Sequence, residues 1–128
     1  MKRKALGFTL LELMITVGIV AALAAMAVAG YGFATMKTRR AAAQGCLTEA
    51  AGALERYYTT AMTYQGGGWP DCSADVRQHY AIEFDTGSPA ATSFTLRARP
   101  LGAQQKDKCG TMTLTNRNVR TPTTSGCW

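Results

Sequence analysis

Histidine is almost absent from this chain and acidic residues are few, with one His and 8 Asp plus Glu in 128 residues. His79 has no second histidine with which to share a metal, and no Cys-X-X-Cys pair offers a zinc or redox site. Asp71, Asp75, Glu83, Asp85 and Asp107 fall at no acid/base or metal-ligand spacing and read as surface charge. Gly66-Gly67-Gly68 lacks the lysine and the following helix of a phosphate-binding loop, so it reads as a flexible connection. These absences argue against an enzyme: no catalytic residue, no metal and no cofactor is assigned.

What is present begins with an apolar run. From Phe8 to Ala29 nearly every side chain is apolar, and 22 residues of helix at ~1.5 Å each reach about 33 Å, enough to cross a bilayer core. Lys2, Arg3 and Lys4 precede it, and a positive flank stays in the cytoplasm, so the remainder is expected to be exported. Glu12 interrupts the run. A carboxylate there is expensive unless it stays near the interface or finds a partner.

Gly7-Phe8-Thr9-Leu10-Leu11-Glu12, behind a short basic leader and directly ahead of an apolar helix, resembles the type IV prepilin cleavage motif. The resemblance implies that a prepilin peptidase removes residues 1–7 by cutting between Gly7 and Phe8, and that Phe8 is then N-methylated. Residues 8–32 would remain as a transmembrane helix in the inner membrane, later the fibre core. Residues 33–128 would form a head domain, periplasmic before assembly and extracellular in the pilus. It further implies that the Glu12 carboxylate, buried in the fibre, is neutralised by the Phe8 amine of a neighbouring subunit. An unpaired buried charge costs several kcal/mol, so that pairing selects axial register. Many members carry a proline where this chain has Ala29; here Gly30-Tyr31-Gly32 is the expected place for the helix to bend or melt.

Helical spacing continues beyond the apolar run to about Tyr64. Lys37, Arg39 and Arg40 mark its exit and read as a solvated or headgroup-facing collar. Leu47, Ala50, Ala51, Leu54, Tyr57, Tyr58 and Ala61 then recur on one face, which should carry a sheet. Gln65 to Cys72, with three glycines and Pro70, ends the helix. From Gln78 the period becomes two. Tyr80, Ile82 and Phe84, then Phe94, Leu96 and Ala98, then Met112 and Leu114 point one way, with a short fourth strand around Asn118 to Thr121. No helix separates these strands, so the expected architecture is α+β, one long helix packed on an antiparallel sheet of about four strands.

Fewer than 100 residues follow the apolar run, a small core that cross-links would stabilise. All four cysteines, Cys46, Cys72, Cys109 and Cys127, lie in the exported part, where disulfides persist. Two bridges are expected, with three pairings open. Cys72 is expected to return to Cys46 and fasten the loop to the helix. Cys109 and Cys127 resemble the disulfide-bounded C-terminal region of type IV pilins. Phe94-Thr95-Leu96, Ala98-Arg99-Pro100, Gln104, Asp107, Cys109-Gly110-Thr111 and Cys127-Trp128 are together similar to the PilE group of minor pilins.

Fourteen basic residues give a net charge of +6, but three of them lie in the leader. The expected function is a type IV pilus subunit whose partners are other pilins, the inner-membrane assembly platform with its motor, and the prepilin peptidase. The alternative is a competence pilin that binds extracellular DNA through Arg97, Arg99, Lys106, Lys108, Arg117 and Arg120, with affinity that falls as salt rises. A secretion pseudopilin would share the leader but not the disulfide-bounded region. Adhesion, motility and DNA uptake are all open to such a subunit.

Overall fold

The computed structural model describes residues 4–128; Lys2 and Arg3, and with them part of the 1–7 leader, lie outside the described residues. The chain divides into two compact units, residues 1–35 and 36–128. Helix α1, Leu10–Ala61, contributes to both.

In the first unit, the Thr9 hydroxyl accepts the Glu12 amide at 3.1 Å and so satisfies one of the orphan donors at the start of α1. The helix is long and apolar enough to cross a membrane. Every described residue through Ala34 is exposed within the chain. An exposed run of this kind, including Leu11, Ile15, Val20 and Leu23, requires an apolar surrounding from outside the chain. The expected melting at Gly30-Tyr31-Gly32 does not occur: all three are helical. Two glycines cost about 2 kcal/mol against alanine, and helix already formed on both sides carries through at that cost.

In the second unit, Ala43, Leu47, Ala50 and Leu54 of α1 are buried at spacings of four, three and four, the pattern of a single helix face. The helix ends at Ala61, three residues before the sequence reading, because Met62 turns to a positive φ of 57°. Ala61 is therefore exposed, not part of the stripe. Tyr64 folds back into the core, its ring 4.5 Å from Tyr58 and 4.8 Å from Phe94.

The connection that follows is held down at Gly67. A Cβ at Gly67 would lie 2.9 Å from the Tyr57 ring and 3.0 Å from Leu54. A flexible tether is thus the wrong description of the triple glycine: the middle one is there for close approach. Cys72 is bonded to Cys46, Cα to Cα 5.9 Å, and Trp69 packs edge-to-face on Phe84 at 4.9 Å. A one-and-a-half-turn helix, α2 (Ala74–His79), then precedes the sheet. The alternation read from Gln78 begins in fact at Tyr80. Ser73 caps α2 through its hydroxyl to the Val76 amide, and Val76 is the residue it buries.

Strands β1 (Tyr80–Phe84), β2 (Thr95–Pro100), β3 (Met112–Thr115) and β4 (Arg120–Thr121) form one antiparallel sheet in chain order. Tyr80, Leu96, Ala98, Met112 and Leu114 share a core with Leu47 and Leu54 of α1. Between β2 and β3 a 3₁₀ turn, Gly102–Lys106, leads to Cys109, which is bonded to Cys127 at a Cα separation of 5.7 Å.

Candidate nucleic-acid interface

The six basic residues fall into two groups with different electrostatics. Arg97 and Arg99 lie two apart on β2, so both project from the face opposite Leu96 and Ala98. Register places Glu83 directly across from Arg97. Arg97 Nε donates to Glu83 Oε1 at 2.9 Å and its Nη1 reaches Asp85 Oδ1 at 3.4 Å, while Arg99 Nε reaches the same Glu83 oxygen at 3.3 Å. Partial burial pushes the Glu83 carboxyl up, but the Arg99 and Arg97 guanidiniums outweigh it and hold it below its ordinary value. Two cations and two carboxylates leave this patch with no net charge.

The second group surrounds the Cys109–Cys127 bridge. Lys106 ends the 3₁₀ turn and Lys108 precedes Cys109; both are exposed. Arg117 sits in the turn between β3 and β4, where Asn118 takes a positive φ of 61°. None of these three side chains makes a hydrogen bond or ion pair among the described residues. Arg120 on β4 lies over the Trp128 ring, its guanidinium carbon 5.3 Å from the centroid. The indole is itself fixed, donating from Nε1 to Thr121 O at 2.8 Å. Because Cys127 precedes Trp128, the bridge ties Lys108 on one side to the Arg120–Trp128 pair on the other.

Two residues of this region escaped the sequence reading. Arg40, which the sequence alone assigns to a solvated collar, and Asp107, which it assigns to surface charge, are both buried. Arg40 Nη1 donates to both Asp107 oxygens, at 2.7 and 2.9 Å, and its Nη2 donates to Gly126 O at 3.2 Å. Asp107 Oδ1 also accepts the Cys109 amide at 3.1 Å, and Oδ2 lies 3.4 Å from the Tyr80 hydroxyl. Burial raises the Tyr80 hydroxyl above its ordinary value, so it stays protonated as a donor. Gln104 Nε2 donates to that hydroxyl at 3.0 Å and to Met36 O at 2.9 Å. One turn further along α1, Gln44 donates to Cys127 O. The sequence held one signal of this: Arg40, Ala43 and Leu47 share a helical face.

Lys37 belongs to the same neighbourhood. With Arg40, Gln44, Cys127 and Trp128 it lines a groove of about 230 Å³. Lys37 is exposed, and it adds a cation beside Trp128 that the sequence alone assigned to the collar.

A helix that starts in an exposed apolar run and continues onto a four-stranded antiparallel sheet, with a disulfide enclosing the last hairpin, defines a type IV pilin. Residues 2–28 match the prokaryotic N-terminal methylation motif. Residues 30–113 match the family described as type IV minor pilin ComP, DNA uptake sequence receptor, and the chain belongs to this minor pilin family. Among solved structures it is similar to a type IV pilin from Shewanella oneidensis, 32% identical with a TM-score of 0.58 over 73% of this chain and 97% of that one. A search of curated proteins finds no match. The chain is thus a type IV minor pilin, a fibre subunit by family.

Proposed function

We propose that this minor pilin binds extracellular DNA through the cations around the Cys109–Cys127 bridge, Lys106, Lys108, Arg117 and Arg120, with Lys37 beside them. The observation that carries this reading is that none of them makes an ion pair among the described residues. Lys106, Lys108 and Arg117 are exposed, with no carboxylate in ion-pair reach among the described residues, whereas Arg97 and Arg99 share Glu83 and Asp85. Unneutralised cations release counterions when they meet phosphates; neutralised ones must first break an ion pair. The match to a family described as a DNA uptake sequence receptor supports the same reading.

Assembly follows the prepilin motif. The peptidase cuts between Gly7 and Phe8, Phe8 is methylated, and the apolar helix, inserted with its N-terminus inside, passes from the inner membrane into the fibre by way of the assembly platform. Glu12 sets register against a neighbour's amine. The Arg120–Trp128 pair offers DNA both a cation and an aromatic surface. The test is binding of a labelled duplex by the full chain in detergent. Affinity should fall about a hundredfold between 50 and 200 mM salt for four phosphate contacts; no binding at 50 mM would overturn the proposal.

A further inference from the structure

Asp107 stands between two of the exposed lysines and points the other way. Its side chain is only 2% exposed, locked by both oxygens to Arg40, while Lys106 and Lys108 on either side face solvent. The local backbone closes on the same residue: its amide donates to Gln104 O at 3.0 Å, and its carbonyl accepts Gly110 N at 3.1 Å. Its carboxylate takes the Cys109 amide as well. One buried residue thus fixes the turn on both sides and the start of the disulfide loop.

Arg40 completes the arrangement from the helix. Besides gripping Asp107 it donates to Gly126 O, next to the other half of the disulfide. A single guanidinium therefore anchors both strands of chain that Cys109–Cys127 joins, one through Asp107 and one through Gly126. A disulfide alone leaves such a loop able to swing about its bond; a planar fork with two fixed acceptors does not. Gln104, held to Met36 O and the Tyr80 hydroxyl, fixes the 3₁₀ turn ahead of Lys106 in the same way.

We propose that the Arg40–Asp107 pair is a positioning device, which holds Lys106 and Lys108 outward and in fixed register with Arg120 and Trp128 across the disulfide. That these groups meet DNA rests on the function proposed above; that the pair orders them does not. Neither Arg40 nor Asp107 touches DNA in this arrangement, since both are buried. A buried ion pair often adds little to net stability, and an apolar pair of similar volume can replace it without unfolding the protein. Ordering of the turn is the property that such a replacement removes.

The experiment compares the full-length chain with Arg40→Met/Asp107→Leu by amide hydrogen exchange, thermal melting and duplex binding. In the double variant the melting temperature should stay near that of the parent, while amides of residues 106–110 exchange about tenfold faster or more. The salt slope of DNA binding should fall by about 1.8, as for two lost phosphate contacts, and Lys106→Ala/Lys108→Ala should add little further loss on that background. Unchanged exchange at 106–110 in a folded variant overturns the proposal. If the double variant melts early, Arg40→Lys serves instead: it keeps the charge and loses the fork, and the same exchange signature is expected. Should the parent bind no DNA, the function proposed above fails, and exchange alone still decides whether the pair orders the turn.

Discussion

Arg97 and Glu83 face each other across the β1–β2 pair, guanidinium to carboxylate at 2.9 Å, and Arg99 shares the same oxygen. The outward arginines of β2 are thus partners of the sheet's own acids. Replacing Glu83 and Asp85 with alanine should release both arginines and extend the basic surface. Duplex affinity should rise several-fold at low salt, and the slope of log K against log salt should steepen by about 0.9 for each new phosphate contact. A titration with unchanged slope would show that these arginines stay out of reach of DNA.

The same pairing sets a pH dependence. Because the Glu83 carboxyl is lowered in the folded state by Arg99 and Arg97 against the opposing effect of partial burial, the pairing stabilises the fold above the unfolded value of about 4.3. That contribution is lost as pH falls through the folded value. Carboxyl NMR should find Glu83 titrating below its ordinary value, and Arg97→Ala/Arg99→Ala should raise it. The effect on stability is small, since the pair is partly exposed.

Asp107→Asn alone, which leaves Arg40 buried with its charge unbalanced, should cost about 3 to 5 kcal/mol in denaturant unfolding. Leu47→Ala, at a fully buried position facing the sheet, should cost about 2 to 5 kcal/mol without changing DNA binding in the folded fraction. A loss of DNA affinity in folded Leu47→Ala would mean that the interface depends on the core and not only on its own anchors.

Opening the Cys46–Cys72 bridge by serine substitution should destabilise the head by about 3 kcal/mol, given the 26-residue separation it closes. Its effect should concentrate in residues 62–73, where proteolysis would nick first. Cleavage confined to the region of the other bridge would contradict this.

Glu12→Ala should leave membrane insertion and removal of the leader intact while the subunit drops out of sheared fibres. Normal incorporation would remove the register role proposed for Glu12.

The sequence disclosed most of the frame because apolar periodicity is written into it. Leu47, Ala50 and Leu54 repeat at helical spacing, and Phe94, Leu96 and Ala98 at strand spacing, so helix, sheet and the face between them were legible. Helix α2 was not, since six residues give no periodic signal; Ser73 as its cap was the one trace. Gly67 looked like a tether because close packing against Tyr57 and Leu54 depends on the path of the chain. The largest miss was electrostatic. Nothing local distinguishes Arg40 and Asp107, which are 67 residues apart, from solvated charges, and Glu83 and Asp85 neutralise Arg97 and Arg99 only through strand register. Which cations remain exposed and unpaired was therefore decided by tertiary structure.

The most direct test is the salt dependence of duplex binding by the full chain in detergent, measured for the parent, for Lys106→Ala/Lys108→Ala/Arg120→Ala and for Arg97→Ala/Arg99→Ala. The parent should bind at low salt with a slope near −3.6, as for about four phosphate contacts. The triple variant should lose about 2.7 of that slope and the arginine pair little. Parent binding that collapses with Arg97 and Arg99 while surviving the triple change, or no binding at all, would contradict a DNA interface built around the Cys109–Cys127 bridge.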